Sequence, residues 1–553
     1  MINHTQIKFT QWLKFIFIIS LLVVIIIECL LNLCPPITRD ALIHHLAIPK
    51  IWLSQQSLKP ISWSDFSFYP MNLQLLYACC LWLGSDILPK YIHMAFGLGC
   101  GILIYLFILK RLGQIWALLG MMMFVSLPII VWLSTAAYVD LGMTFFTTAC
   151  MICLIRFHWE GLQIKYLCFA AIMMGLALGV KYNALIAFVF FNIAIFYMTY
   201  KQNDSLLKSV NYTFIFFMLS SAIAAPWLIR NIIYAGNPFY PLFNNVFKYV
   251  FTIPAHPLFC ENLEPVFSMN GIVLRKLLFN ESLFETLFIP IRMFFQGNDY
   301  TYEHFQGRLN PMLILFLPFA FLPASRKPWM LFMASFIFFF GYVAFFTTKH
   351  QIRYILPIFP FICLLSVFGL HALFKIIPER IVVARYGLFL LIFCLFGLNI
   401  QYIHSHFNRM NPISYLTGQQ SRTAYLKTHL QHYEAFEYIN THLPKDSRVL
   451  TLFLGRRGYF LDCVYKHEPL FGMNILNCMV QKSQSKEAFD QYINQLDITH
   501  MLVRIDMLDS FLTDRLSNSE RGVLRMRIQE RFRRVQVFDN YVLWALMAAD
   551  ASL

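Results

Sequence analysis

Long apolar runs separated by short polar breaks make up the chain as far as residue 401. A run of roughly 20 apolar residues is long enough to cross a bilayer as a helix. One helix over 166–199 is an alternative, but the polar break Lys181-Tyr182-Asn183 favours two short spans joined by a turn. The pattern therefore predicts eleven spans, at residues 15–33, 91–109, 115–134, 141–157, 166–180, 184–199, 212–229, 311–324, 329–347, 355–373 and 386–401.

Three regions lie outside the predicted spans. Residues 34–90 and 230–310 form two long loops, and the aromatic content of the first suits helices at the membrane interface. Residues 402–553 have a soluble composition and alternate helical and strand patterns. The predicted helices are 433–443 and 486–496, and the predicted strands are 448–454, 500–504 and a hairpin at 534–546. We therefore predict a polytopic α-helical membrane domain over 1–401 and a small C-terminal α/β domain over 402–553.

Composition and charge agree with a membrane protein. The chain is 58% hydrophobic and 13% charged, whereas soluble domains are about a quarter charged. Short basic loops between the apolar runs explain much of the net charge of +15, and no Lys/Arg tract of the nucleic-acid-binding kind is present. The positive-inside rule places the N-terminus, as an uncleaved signal anchor, in the cytoplasm, and both long loops and the C-terminal domain outside. The cysteines form no metal pattern, and pairing of Cys463 with Cys478 stays open.

Ionisable and polar residues collect on the predicted outer side of the spans. Such residues are costly near a membrane and therefore indicate function. Each also has a structural interpretation, since Asp caps helices, Lys snorkels and Arg anchors interfaces. The candidates are Asp40, Asp140, His44, Lys181, Arg230, Asn231, His350, Arg353 and Tyr354.

Glycosyl transfer from a polyprenyl-phosphate sugar fits this cluster. A carboxylate takes the proton of the acceptor, and cations hold the charge that develops on the leaving phosphate. An inverting transfer needs one base, and we predict that this base is Asp40. Asp140 is predicted to orient the acceptor or to hold a divalent cation; no metal ligand and no other cofactor is assigned. The predicted substrate-binding residues are His44, Lys181, Arg230, Asn231, His350, Arg353 and Tyr354.

Several short motifs lie along the predicted spans and outer loops: the Asp40 loop, Tyr138-Val139-Asp140, residues 175–182, residues 226–231 with 236–241, and residues 353–357. Together they resemble the glycosyltransferase-C superfamily, in particular bacterial members related to protein O-mannosyltransferases and lipid A aminoarabinose transferases. The resemblance covers about residues 15–400, and the C-terminal region resembles the periplasmic α/β domain of such proteins. It implies a polyprenyl-phosphate-sugar donor, an outward-facing site, inversion, and an Asp base in the first outer loop, here Asp40. Many relatives have an Asp-Glu pair there, but Ala41 follows Asp40, which weakens a metal role.

The sequence thus predicts a multi-pass glycosyltransferase of the bacterial inner membrane. Its predicted partners are a polyprenyl-phosphate-linked sugar, membrane lipids and a cell-envelope glycan, lipid or protein acceptor, with no nucleic acid. A flippase or transporter is one alternative, and it predicts ionisable residues near the midplane and inverted repeats. A diphosphate-donor glycan ligase or polymerase is another, by analogy one that relies on Arg and His instead of this Asp. A non-catalytic scaffold predicts that Asp40→Asn leaves function intact.

Overall fold

The structure of the protein is a computed structural model. A large helical region is followed by a small region built on one β-sheet. The predicted class, a polytopic α-helical membrane protein with a small C-terminal α/β domain, is confirmed. The described residues are 4–61, 63–247, 271–322, 327–347, 350–378, 381–468 and 474–547.

Apolar helices dominate the first region. Eight helical segments in the described ranges are long and apolar enough to cross a bilayer: Gln11–Asn32, Leu88–Leu112, Asp140–Trp159, Ala184–Asn203, Leu206–Ala235, Pro328–Thr347, Ile352–Ile376 and Val383–Met410. The helices are α1 (His4–Asn32), α2 (Ala47–Gln55), α3 (Asn72–Trp82), α4 (Leu88–Leu112), α5 (Gln114–Val125), α6 (Pro128–Ser134), α7 (Asp140–Trp159), α8 (Ile164–Leu178), α9 (Ala184–Asn203), α10 (Leu206–Ala235), α11 (Asn244–Phe247), α12 (Gly271–Phe279), α13 (Leu283–Leu287), α14 (Ile289–Gln296), α15 (Met312–Leu315), α16 (Pro328–Thr347), α17 (Phe359–Ile376) and α18 (Val382–Met410).

The third predicted span is a broken one. Helices α5 and α6 meet at an angle of 67° and together could form one further span. The break follows from Pro128, which begins α6 and forces Leu127 into an extended conformation with ψ of 134°. Two more of the eleven predicted spans fall on short apolar helices, Ile164–Leu178 and Met312–Phe321. The count of full-length spans is therefore eight or nine among the described residues, below the predicted eleven.

The predicted interruption within 166–199 is present, because α8 ends at Leu178 and α9 begins at Ala184. The amide of Asn72 donates to the carbonyl of Gly179 at 2.8 Å, and any side chain at position 179 would collide with Asn72. This close approach ties the turn after α8 to the start of α3. Lys181 consequently lies half-buried in the connection between two helices and not within a continuous helix.

The C-terminal region is an α/β unit with five strands in the order β2-β1-β3-β5-β4. Strand β1 is parallel to β2 and β3, whereas β5 is antiparallel to β3 and β4. All predicted helices and strands of this region occur, and one strand (Val464–His467) and five helices (Pro412–Leu416, Arg422–His429, Asn474–Lys482, Ile505–Arg515 and Asn518–Arg531) come in addition. The elements are α19 (Pro412–Leu416), α20 (Arg422–His429), α21 (Tyr433–His442), β1 (Arg448–Leu452), β2 (Val464–His467), α22 (Asn474–Lys482), α23 (Lys486–Gln495), β3 (His500–Arg504), α24 (Ile505–Arg515), α25 (Asn518–Arg531), β4 (Phe532–Phe538) and β5 (Tyr541–Leu546).

The two regions are joined by α18, which continues past residue 401 to Met410. They also meet through side chains: Arg422 pairs with Asp86, and Lys50 pairs with Asp462 at 2.8 Å. The C-terminal region therefore sits directly on the first loop of the membrane region. Cys463 is a free thiol, so it does not pair with Cys478.

Candidate active site

One cavity of about 810 Å³ lies where the first loop, the α8–α9 turn, the start of the Ile352–Ile376 segment and the C-terminal region meet. Five predicted site residues line it: Asp40, His44, Lys181, Arg353 and Tyr354. These residues are far apart in sequence, and the structure brings them together at one end of the helical region.

Asp40 is held by Arg353. The guanidinium donates from Nη1 to Asp40 Oδ2 at 2.6 Å and from Nε to Gln351 Oε1 at 2.9 Å. The amide of Asp40 donates to the hydroxyl of Tyr138 at 3.2 Å. Asp40 stands at the N-cap position of the next helical turn, yet its side chain makes no capping hydrogen bond with any described amide. The carboxylate is therefore positioned by a cation and not by a helix end.

The negative charge of Asp40 persists in spite of burial. Burial raises the pKa of a carboxyl group, because it removes water from the charged form. The charge and the hydrogen bond of Arg353 more than offset this, and they hold the pKa of Asp40 well below its ordinary value. Burial lowers the pKa of His44 to about 4. At neutral pH the cavity thus contains a carboxylate beside a neutral imidazole.

A second carboxylate, Asp140, is fully buried and pairs with Lys181. The Lys181 ammonium donates to Asp140 Oδ1 at 2.7 Å and lies 4.7 Å from the centre of the Tyr354 ring. Helix α7 begins at Asp140, but His93 Nε2 accepts the Leu141 amide at 2.9 Å. Lys181 lines the cavity, whereas Asp140 lies behind it. Asp140 therefore anchors the lysine whose ammonium faces the cavity.

The segment after Asp40 is a π-helical turn, Ala41–His45. The amide of Leu46 donates to the carbonyl of Ala41, five residues earlier, at 2.9 Å. The ring of His44 stacks on Phe66 with 4.3 Å between ring centres, and its Nδ1 has no hydrogen-bond partner among the described residues. His44 thus presents a buried, unpartnered nitrogen next to the candidate base.

Besides Asp140, three more predicted site residues do not line the cavity. Arg230 and Asn231 donate to the backbone carbonyls of Ser67 and Phe68, at 2.7 and 2.8 Å. His350 is buried against aromatic rings, the nearest 5.1 Å away between centres. Their contacts shape the first loop and the base of the Ile352–Ile376 segment, and a substrate contact for them stays a prediction.

The C-terminal region supplies a wall of the cavity that sequence reasoning did not assign. Thr451, Phe453 and Arg456 come from the end of β1 and the connection after it, Glu468 follows β2, and Leu476 lies in α22. The carboxyl ends of parallel strands are common binding positions. The sequence signal was Gly-Arg-Arg-Gly, a pair of arginines directly after a buried strand.

A divalent cation does not fit the residues present. Asp40 and Asp140 each pair with a basic side chain, at 2.6 and 2.7 Å. Within the described ranges no group of three or more His, Cys, Asp or Glu could hold a metal ion. No catalytic step is therefore derived through the cation considered for Asp140.

The fold of the chain matches that of solved glycosyltransferase-C structures, so the fold that the resemblance implies is confirmed. The structure of ArnT from Cupriavidus metallidurans, bound to undecaprenyl phosphate, is similar with a TM-score of 0.56 and 11% identity, over 97% of this chain and 99% of that chain. The structure of the oligosaccharyltransferase AglB from Archaeoglobus fulgidus, in complex with an inhibitory peptide and a dolichol-phosphate, is similar with a TM-score of 0.52 and 11% identity, over 98% of this chain and 75% of that chain.

A family model matches part of the chain. The model of the dolichyl-phosphate-mannose-protein mannosyltransferases covers residues 89–244. This segment contains Asp140, Lys181, Arg230 and Asn231, but neither Asp40 nor Arg353. No curated protein matches the chain by sequence. The family match and the shared fold support a polytopic membrane glycosyltransferase.

Proposed function

We propose that the protein transfers a sugar from a polyprenyl-phosphate carrier to a cell-envelope glycan, lipid or protein, with inversion at the anomeric carbon. The observation that supports this most is the cavity where the carboxylate of Asp40 lies together with the cations Arg353 and Lys181. The two solved structures with the same fold were determined with undecaprenyl phosphate and dolichol-phosphate, which supports the class of donor.

In this proposal Asp40 is the general base and receives the proton of the acceptor hydroxyl or amine. The acceptor atom forms a bond to the anomeric carbon while the bond from that carbon to the phosphate oxygen breaks. The electron pair leaves with the polyprenyl phosphate, whose charge Arg353 and Lys181 stabilise. Asp40 thus receives the proton, and the polyprenyl phosphate leaves with the electron pair of the broken bond.

Because Asp40 is paired with Arg353, donor binding can increase the basicity of Asp40. A carboxylate beside an arginine is fully ionised but has little affinity for a proton. A donor phosphate competes for the same guanidinium, which binds phosphate as well as carboxylate. When Arg353 turns to the phosphate, the pKa of Asp40 rises towards its ordinary value. Donor binding thus prepares the base for the acceptor.

The apolar part of the cavity suits the carrier lipid. Val180 in the α8–α9 turn and Leu185 and Ile186 at the start of α9 line the cavity beside Lys181. An isoprenoid chain loses contact with water when it packs on such side chains. In a bacterial inner membrane, with the basic loops on the cytoplasmic side, this arrangement opens the site to periplasmic acceptors.

Transfer in isolated membranes tests the proposal. Pooled radiolabelled polyprenyl-phosphate sugars are supplied to wild type, to Asp40→Asn and to the control Asp65→Asn, a buried carboxylate of the same loop outside the cavity lining. We expect transfer by wild type and the control, and none by Asp40→Asn at equal protein level. Equal transfer by Asp40→Asn would overturn the role of the base. Movement of the donor across the membrane without transfer would favour a flippase.

A further inference from the structure

The connection between β1 and β2, residues 453–463, reaches the segment that carries Asp40. The amides of Gly458 and Tyr459 both donate to the carbonyl of Leu42, each at 3.2 Å. Leu42 lies in the π-helical turn directly after Asp40. A strand connection of the C-terminal region therefore forms backbone hydrogen bonds with the turn that presents the candidate base.

These hydrogen bonds match the unusual register of the turn. In an α-helix the carbonyl of Leu42 would accept the amide of Leu46, four residues later. Here the Leu46 amide donates to Ala41 at 2.9 Å, and the Leu42 carbonyl accepts two amides of the connection. Single π-helical turns are often found at functional sites, where they change the direction of side chains.

Lys50 in α2 holds the connection in place. Its ammonium donates to the carbonyls of Tyr459 and Leu461 at 2.9 and 2.8 Å, and to Asp462 Oδ1 at 2.8 Å. An ammonium has three donors, and all three are used on this one segment. Lys50 therefore links the helix that follows the π-helical turn to the connection.

The connection has little freedom on its other side. A Cβ at Gly458 would collide with the ring of Tyr465, which itself packs against Trp63 of the first loop at 5.2 Å between centres. Positive φ angles of 62° and 63° at Phe453 and Arg456 turn the backbone towards the cavity, which both residues line. The connection is thus fixed between the sheet and the first loop.

We propose that the β1–β2 connection is a positioning element for Asp40, with Lys50 as its positioning residue. It fixes the register of the π-helical turn, so that Asp40 and His44 face the cavity. The C-terminal region thereby completes the catalytic site. This inference rests on the proposed function, because it assumes that Asp40 acts in transfer.

The test uses the full chain in lipid nanodiscs and the variants Lys50→Met and Lys50→Arg. The matched control is Lys427→Met, which removes an ammonium from a 2.7 Å pair with Glu437 on the surface of the C-terminal region. We measure kcat and KM with the donor found in the pooled assay, binding of undecaprenyl phosphate, and hydrogen exchange of residues 38–50. Lys50→Met should lower kcat about tenfold or more, leave undecaprenyl phosphate binding unchanged and speed exchange of 38–50. Lys50→Arg should restore both, and Lys427→Met should change neither.

Each result separates this inference from the proposed function. If Lys50→Met keeps the wild-type kcat and the wild-type exchange of residues 38–50, while Asp40→Asn abolishes transfer, the positioning role alone is overturned. Normal transfer in Asp40→Asn would overturn the proposed base, and the inference with it, whatever the exchange data show. If Lys50→Met does not fold, Gly458→Ala displaces the connection with Lys50 intact and must give the same loss of kcat and faster exchange.

Discussion

Two groups of ion pairs in the membrane region differ in how completely their carboxylates are satisfied. Glu281 accepts from Arg275 at 2.6 and 2.7 Å and from Arg292 at 3.1 Å, so both of its oxygens have partners. This cluster does not line the cavity. Asp40 faces the cavity and, among the described residues, forms an ion pair with one basic side chain, Arg353, through one oxygen. The first arrangement is closed, whereas the second is open to a ligand.

The two clusters show how a structural ion pair can be distinguished from a functional one by the source of its partners. A buried pair whose partners all come from the protein fixes the fold, and loss of one partner leaves an uncompensated charge. A pair at a cavity can exchange one partner for a substrate group, which is typical of functional sites.

The largest effect is expected in the closed cluster, and it is an effect on stability. Glu281→Gln leaves Arg275, whose side chain is 0% exposed, without its counter-charge. Removal of one partner of such a buried pair costs about 3–5 kcal/mol. We expect a lower unfolding temperature in detergent and an unchanged transfer rate per folded molecule. Arg275→Met/Glu281→Met should regain much of the stability. A loss of transfer at unchanged stability would contradict this assignment.

The next effect is expected at the open pair, and it is an effect on rate. Arg353→Gln removes a donor that stabilises the leaving phosphate, and we expect transfer to fall about 10²- to 10³-fold. The pKa of Asp40 rises when Arg353 no longer stabilises the carboxylate. The base of the free enzyme is then protonated at a higher pH, so the acid limb of the pH profile of kcat/KM for the donor shifts upwards. An unshifted limb would show that Arg353 does not act on the base. Arg292→Gln serves as the control for loss of an arginine.

The pair of Lys181 and Asp140 is both structural and open to a ligand, because Asp140 is buried behind the cavity and Lys181 lines it. Lys181→Met should weaken donor binding by about 1.5–3 kcal/mol, as for a hydrogen bond to a charged group, and should also lower stability, because Asp140 is left buried and unpaired. Asp140→Asn in the same chain removes that charge, so the double variant should regain stability but not donor affinity. Titration with undecaprenyl phosphate and thermal unfolding separate the two. Recovery of both would mean that Lys181 serves only the fold.

The sequence alone was enough to predict that three charged residues of the cavity lie close together, because of their positions relative to the apolar runs. Asp40, Lys181 and Arg353 each lie at the mouth of an apolar run, on the same predicted side, and the spans bring such mouths together. Arg230 and Asn231 occupy equivalent positions in sequence. Their partners are backbone carbonyls of the first loop, and no residue pattern indicates where these carbonyls point.

The contact of the C-terminal region with the Asp40 turn was beyond sequence reasoning for a physical reason. The apolar pattern that predicts β1 and β3 is local, since it follows from alternate burial along a strand. The π-helical register depends on amides of Gly458 and Tyr459, more than 400 residues after Leu42. Lys50 likewise shows its role only through three oxygens of that distant segment. Long-range backbone hydrogen bonds leave no periodic signal.

The smallest effect concerns His44 and the pH dependence of stability. Burial lowers its pKa to about 4 in the folded chain, against an ordinary value of 6.5. Between these values the unfolded chain binds a proton that the folded chain does not, so stability is full above pH 6.5 and falls as the pH drops towards 4. The slope is on the order of 1 kcal/mol per pH unit for one such group. The pKa of Asp40 lies below this window, so its carboxylate adds no slope there. His44→Gln should flatten the decline of the unfolding temperature between pH 6.5 and 4.5, whereas His442→Gln, on the surface, should leave it unchanged. An equal decline in all three proteins would mean that His44 takes up its proton at a similar pH in the folded and the unfolded chain, next to an ionised Asp40.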